Sequence, residues 1–260
     1  MNRSKAGART EFPGARRGVM MATMDDPRIL RGMAVQLGRR RERLDAGERP
    51  LGWKVGFGAP AAMQKLAIKA PLIGFLTDKA RVATGATVSL AGWSKPAAEP
   101  EIAVHVGRDL TAGADRGTAR AAIAGLGPAI ELADVDRPPE DVERILAANI
   151  YQRCVIVGSC DASRAGGAVD GLHGHISRNG SAFAQTSDPQ ALTGELIDIV
   201  RHVADTLAAF GEILRAGQII ITGSIVPPLW VEAGEEILFE LDPVGSVSVR
   251  FAADDRQRKL

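Results

Sequence analysis

The chain lacks the features that mark several large classes of protein. It has only two cysteines, Cys154 and Cys160. Two cannot build a disulfide framework or a four-thiolate zinc site, so reduced thiols in a cytoplasmic protein are expected. No apolar run approaches the ~18 residues of a membrane span. Neither sign of charge is in excess: 32 Lys+Arg face 31 Asp+Glu, for a formal net charge of +1. That balance argues against a dedicated nucleic-acid binder, which carries a basic surplus. There is no Walker A sequence, and Gly52, Gly56 and Gly58 do not have the spacing of G-x-G-x-x-G. No internal repeat and no linker stands out between residues 51 and 252.

What is present is an ordinary globular composition. The chain has 260 residues, 45% hydrophobic and 24% charged, near the averages for folded domains. A chain of this length buries roughly three quarters of its unfolded surface, enough for one sizeable core without staples. The charge is unevenly placed. Residues 1–20 hold Arg3, Lys5, Arg9, Arg16 and Arg17 against Glu11 alone, and no apolar stretch follows. They read as a disordered basic tail over residues 1–21, or an over-long start ahead of Met20, Met21 or Met24, not a secretory signal. The body between the two termini is acidic.

A helix is expected over residues 26–46. Asp26 can cap it, Pro27 suits its first turn, and Ile29, Leu30, Met33 and Leu37 share a face. It forms a helical arm over residues 22–50. From Leu51 the pattern turns to short apolar stretches separated by Gly and Pro: Trp53 to Phe57, Thr87 to Leu90, Ile102 to Val106, Ala129 to Leu132 and Val155 to Val157. Helices are predicted at Thr118 to Leu126, Pro138 to Ala148 and residues 191–210. Asn179-Gly180 suits a type I′ turn inside a hairpin from His173 to Ala184. Strands return at Gln218 to Ile221, Glu236 to Leu241 and Ser246 to Phe251. Many short strands with a few inserted helices predict an α+β fold with a mixed, curled β-sheet over residues 51–253.

The chemistry concentrates in acids on strands. Glu99 and Glu101 flank Pro100 at an expected strand start, and side chains two apart share a strand face. Two adjacent carboxylates repel unless a cation sits between them, and Mg²⁺ takes one or two protein carboxylates plus water and substrate. Two solvated glutamates on an edge strand fit the same residues. Glu131 is a third acid, with Ile130 and Leu132 facing away from it. Lys54 lies in Gly52-Trp-Lys54-Val-Gly56; a lysine partly desolvated beside a metal can act as acid or base, and a plain exposed lysine is the alternative. Thr222-Gly223-Ser224 follows an apolar strand, where its N–H groups and hydroxyls could hold a carboxylate or simply make a turn. His105 alternates with Glu101. His173 and His175 are two apart, read as surface or structural residues.

Together these segments resemble the 2-keto-4-pentenoate hydratase family, within the fumarylacetoacetate hydrolase superfamily, from about Leu51 to Phe251. The resemblance is carried by Gly52-Trp-Lys-Val-Gly56, Glu99-Pro-Glu101 with Val106-Gly-Arg-Asp-Leu110, Pro128-Ala-Ile-Glu131, Leu214-Arg-Ala-Gly217, Thr222-Gly-Ser224 and Gly245-Ser-Val-Ser-Val249. It implies a mixed β-roll and a Mg²⁺ (or Mn²⁺) site with Glu99, Glu101 and Glu131 as ligands. It implies Lys54 as the acid/base residue and the Ser224 loop as a substrate holder. It also implies a cytoplasmic homo-oligomer acting on a small 2-oxo or 2-hydroxy acid; the charge balance and the short apolar runs predict no nucleic acid and no membrane as partner. The expected reaction is addition of water to an unsaturated acid of the 2-hydroxypenta-2,4-dienoate type in aromatic catabolism. A 4-oxalocrotonate-type decarboxylase, a fumarylacetoacetate hydrolase-like C–C hydrolase and a non-catalytic scaffold are the alternatives. One departure stands out: Asn149-Ile-Tyr-Gln-Arg153 is bulky where many family hydratases have small residues. Arg153 is therefore a candidate for binding a second acidic group of the substrate.

Overall fold

The computed structural model describes residues 25–253; the basic tail expected over residues 1–21 lies outside them. Helix α1 (Pro27–Asp45) leads into β1 (Pro50–Gly56), α2 (Pro60–Leu66) and β2 (Leu72–Thr77). Then come β3 (Arg81–Val82), β4 (Ala86–Ser89), β5 (Pro96–Val106), α3 (Arg116–Ala122) and β6 (Ile123–Asp134). Helix α4 (Val142–Ala147), β7 (Gln152–Val157), β8 (His173–Arg178), β9 (Ser181–Thr186) and α5 (Leu196–Ala209) follow. The described chain closes with β10 (Ile219–Ser224), β11 (Leu229–Trp230), β12 (Glu236–Asp242) and β13 (Gly245–Ala252). No helix among the described residues is long and apolar enough to cross a membrane.

The strands form two sheets. The larger runs β2-β1-β10-β5-β6-β7-β3, with β11 also on β5; the smaller runs β4-β13-β12-β8-β9. Parallel pairs, β1 with β10 and β3 with β7, mix with antiparallel ones. This is the mixed, curled sheet that the sequence predicts. Strand alternation divides the large sheet cleanly. Ala98, Ile102 and Val104 of β5 and Ile130 and Leu132 of β6 enter the main core with α5 and the small sheet. The residues between them face the concave side, where Ala103, Ala129, Val155, Ile219 and Ile221 form a second, smaller cluster. The acids of β5 and β6 share that concave side.

Helix α1 forms as expected: Asp26 accepts from the Arg28 N–H at 2.9 Å, and Ile29, Met33 and Leu37 are buried. It docks on α4 through Gly32, which lies against Leu146, and through Gln36, which donates to the Leu146 carbonyl at 2.9 Å. The hairpin β8–β9 turns at Asn179 and Gly180, both with positive φ (53° and 76°), as an Asn-Gly type I′ turn requires. Both cysteines are free.

Four boundaries differ from expectation. The helix predicted to Leu126 stops at Ala122, because Ile123 and Leu126 pair with Val106 and Val104 of β5. The helix predicted from Pro138 begins at Val142, capped by Asp141, with the prolines in the preceding turn. The helix predicted from residue 191 begins at Leu196, since Gly194 adopts φ +88°. Strand β5 begins at Pro96, so Pro100 sits inside a central strand and not at a start or an edge. The Pro100 carbonyl accepts from Ile225 N at 2.9 Å, where pairing passes from β10 to β11. The donor that proline lacks therefore falls at a break in the ladder, where none is needed.

Candidate metal centre

Glu99 and Glu101 leave the same face of β5, and Glu131 stands directly opposite Glu99 on β6. One oxygen from each lies within 4.8 Å of the others. Glu101 and Glu131 are fully buried; Glu99 is partly exposed. Lys54 arrives from β1, with β10 and β5 between its strand and β6. On a flat sheet three strand spacings of ~4.8 Å would separate β1 from β6 by ~14 Å. The buried Lys54 ammonium nonetheless bonds the Glu131 carboxylate, because the sheet curls until its concave faces meet.

Burial sets the electrostatics. It pushes the Glu101 carboxyl well above the ordinary carboxylate range, and the neighbouring Glu131 and Glu99 charges push it further. Burial also raises Glu131, opposed by Lys54, to about 7. Glu99 is raised by burial, again opposed by Lys54. Two of their buried oxygens, Glu101 Oε1 and Glu131 Oε2, have no hydrogen-bond partner among the described residues. Orphaned buried acceptors are costly. Three carboxylates also outnumber the single ammonium among them. A hard divalent cation answers both deficits: it prefers oxygen donors, and three protein ligands leave open positions in an octahedral shell. The residues present therefore fit a Mg²⁺-like ion.

The Lys54 ammonium is held on its other side by the Ile150 carbonyl, at 3.0 Å. Ile150 belongs to a run of three non-glycine residues with positive φ: Asn149 (53°), Ile150 (53°) and Tyr151 (62°). Each costs on the order of 1–3 kcal/mol and persists only where its surroundings enforce it. Asn149 supplies the enforcement. Its amide accepts from Phe75 N at 2.8 Å and donates to Phe75 O at 2.9 Å, behaving as a strand partner for β2. Gly74 leaves the room: a Cβ there would lie 2.8 Å from both Asn149 Oδ1 and Lys54 Cγ. Asn149→Ala strips both bonds from a buried strand and frees the turn that aims Ile150. It is expected to cost about 3 kcal/mol in chemical denaturation and to lower turnover; an unchanged denaturation midpoint would refute the clamp.

The Thr222–Ser224 loop lies beside the acids but is largely engaged. The Gly223 N–H donates to Glu101 Oε2 at 2.7 Å, Thr222 Oγ1 donates to the Ile102 carbonyl at 3.1 Å, and Ser224 Oγ donates to the Pro100 carbonyl at 3.3 Å. Gly223 adopts φ +97°, which presents its N–H to Glu101. A cavity of about 460 Å³ opens onto Lys54, Glu99 and this loop, with Tyr151 in its wall.

The structure thus brings together Lys54, Glu99, Glu101, Glu131, Thr222, Gly223 and Ser224. It does not bring Arg153 to them. Arg153 lies outside the cavity lining, its guanidinium 3.0 Å from Asp134 Oδ2 and 5.7 Å from the centre of the Trp93 ring. His105 shares the concave face, with its Nε2 beside Gly127, and is not among the residues that line the cavity. His173 and His175 sit exposed on β8. Sequence reasoning missed the Asn149 clamp, the Ile150 carbonyl and the space at Gly74. The available signal was an asparagine just after a helix, the side chain that best tolerates a left-handed backbone after glycine.

Comparison with known proteins converges on the same span. The family model for the fumarylacetoacetate (FAA) hydrolase C-terminal domain matches residues 54–252. A 2-hydroxyhexa-2,4-dienoate hydratase of Comamonas testosteroni is 30% identical over 222 residues, covering 84% of each chain. A 2-keto-4-pentenoate hydratase of Paraburkholderia xenovorans (strain LB400) is 26% identical, covering 89% of this chain and 87% of that one. Among solved structures, the 4-oxalocrotonate decarboxylase from Pseudomonas putida G7, complexed with magnesium and adipate, superimposes with a TM-score of 0.78 at 25% identity, over 94% of this chain and 100% of that one. The matched stretch opens at the buried lysine of β1 and closes at the end of β13, so by its own strands and by its relatives the chain belongs to the fumarylacetoacetate hydrolase family.

Proposed function

We propose that this protein is a divalent-metal-dependent hydro-lyase that hydrates an unsaturated 2-oxo/2-hydroxy acid of the 2-hydroxypenta-2,4-dienoate type. The observation that carries this reading is the meeting of three glutamates, two with orphaned buried oxygens, and Lys54 at one cavity. Two hydratases among the relatives support it. Glu99, Glu101 and Glu131 hold Mg²⁺ or Mn²⁺. When bound, the ion supplies Lewis-acid stabilisation of negative charge at the substrate's C2 oxygen. Lys54 holds a proton at Nζ between Glu131 and Ile150, facing the cavity, and exchanges it with the carbon chain as the dienol ketonises and water adds. The buried concave face excludes bulk water from that exchange. Ser224 sits where its hydroxyl can turn from Pro100 to a substrate oxygen.

Residues 51–253 act as the catalytic unit and α1 as an arm braced on α4. The enzyme works in the cytoplasm as a homo-oligomer, and light scattering after gel filtration should return a multiple of 27.4 kDa. The decarboxylase reading is the second one, favoured by the likeness to the Pseudomonas putida structure. The C–C hydrolase reading loses support, since no histidine among the described residues lines the cavity. Product analysis separates the first two. With Mg²⁺ and 2-hydroxypenta-2,4-dienoate, 4-hydroxy-2-oxopentanoate is expected. Release of CO₂ from a six-carbon 2-oxo dicarboxylate, with no hydration of the dienoate, refutes the hydratase. Mg²⁺ with oxalate should also raise the melting temperature, because a ligand that binds only the folded state stabilises it. The absence of any shift with divalent ions would favour the scaffold reading.

A further inference from the structure

The same cavity has two chemically different ends. Among the described residues, its only charged lining residues are Lys54 and Glu99, both at the acid cluster. The remaining wall is apolar or neutral, formed in large part by Ala62, Val135, Leu192, Val226, Pro227 and Trp230. Four large hydrophobic side chains are well exposed among the described residues, and two of them, Leu192 (37%) and Trp230 (46%), border this one cavity. Apolar surface left open beside a polar site marks a binding surface. The volume of about 460 Å³ falls within the ~300–1,000 Å³ of pockets that hold drug-sized molecules. It exceeds what a five-carbon acid needs.

Among the described residues, no cation besides Lys54 lines the cavity to receive a second carboxylate. Arg153 is engaged by Asp134 outside the lining, and the Lys95 ammonium lies 4.2 Å from the centre of the Trp230 ring without lining the cavity. A distal carboxylate against this wall would lose part of its water and gain no cationic partner among the described residues. An alkyl or aryl group there would gain from burial.

Building on the proposed reaction, we infer that the substrate carries a bulky, uncharged apolar group at the end remote from its carboxylate, and that dicarboxylates are disfavoured. The wall formed by Leu192, Val226 and Trp230 receives that group.

Calorimetric titration of the Mg²⁺-loaded protein with three non-reacting probes tests this. Pyruvate presents the 2-oxo acid head alone, 2-oxooctanoate adds an alkyl tail, and 2-oxosuberate ends a chain of the same length in a carboxylate. The expected order is 2-oxooctanoate at least ~10-fold tighter than pyruvate, the gain from burying about two methylene groups, and 2-oxosuberate no tighter than pyruvate. Leu192→Arg places a cation at an exposed rim position and should reverse the preference between the two long probes. If 2-oxosuberate matches 2-oxooctanoate, if the tail brings no gain over pyruvate, or if Leu192→Arg leaves the preference unchanged, the inference is overturned while the proposed reaction stands. If none of the three binds, the proposed reaction itself fails and the inference falls with it.

Discussion

Glu131→Gln and Glu101→Gln should both reduce metal-dependent turnover by at least ~10²–10³-fold, the scale for losing one preorganised electrostatic group. Their effects on the metal-free protein should differ. Glu131 is the partner of buried Lys54. Replacing it with an amide leaves an uncompensated ammonium in the core, which costs roughly 3–5 kcal/mol. Glu101 makes no salt bridge among the described residues and feels Lys54 only at longer range; its Oε2 accepts from Gly223 and its Oε1 from no described residue. Its neutral isostere removes repulsion among the acids. The Glu101→Gln protein should therefore be at least as stable as the parent, with an advantage that grows as rising pH ionises the parent's buried carboxyl. Calorimetric melting after EDTA treatment measures both. Equal destabilisation by the two variants would show that the acids are not arranged as described.

Lys54→Met should separate catalysis from metal binding. The substitution keeps much of the aliphatic length beside Gly74 and removes the charge. Turnover should fall by ~10²–10⁴-fold, the usual contribution of a positioned acid/base. The metal-free protein should lose about 3 kcal/mol, because Glu131 is left buried without its partner. Mg²⁺ should bind at least as tightly as to the parent, since a positive charge next to the site is gone. Calorimetric Mg²⁺ titration provides the readout. A variant that retains turnover would remove Lys54 from the mechanism, and one that loses Mg²⁺ binding would make it a structural support for the acids.

The raised carboxyls also fix a pH signature. Glu131 titrates near 4.5 when unperturbed and at about 7 in the metal-free fold. Its contribution to stability is full below the lower value and is lost as the pH rises through the higher one. At ~1.4 kcal/mol per pH unit, that loss is on the order of 3 kcal/mol. Metal binding has the opposite slope. The carboxyls must be deprotonated to act as ligands, so Mg²⁺ affinity should rise with pH as the raised carboxyls ionise, and binding should release protons. Titrations in buffers of different ionisation enthalpy count those protons.

Much of the site was legible in the sequence because strand alternation is a local rule. Glu99 and Glu101 are two apart, and Ile130 and Leu132 bracket Glu131. From a period of two alone, each acid can be assigned to the face opposite its apolar neighbours. Caps and turns are equally local, and the Asp26 cap and the Asn179-Gly180 turn formed where expected. Helix starts were less legible. Leu192 follows the helical period, yet Gly194 intervenes and the residue ends beside the cavity. Arg153 looked available for a ligand because nothing local identified Asp134, nineteen residues earlier, as its partner.

By itself, then, the sequence determined which acids and which lysine are candidates for the site, the arm helix and the alternation that puts acids on one face and the core on the other. Only the tertiary structure decided that these groups meet. Lys54 reaches Glu131 across two intervening strands because β10, last but three among the strands in chain order, inserts between β1 and β5 and the sheet curls. Pro100 is tolerated in mid-sheet because the ladder breaks there, and three left-handed residues persist because Asn149 is bonded to β2. The division follows from range. Which way a side chain faces depends on its own backbone and its immediate neighbours, whereas strand order, curl and ion pairing depend on segments more than 160 residues apart in sequence, such as Arg40 and Glu212, 172 residues apart, which local periodicity does not encode.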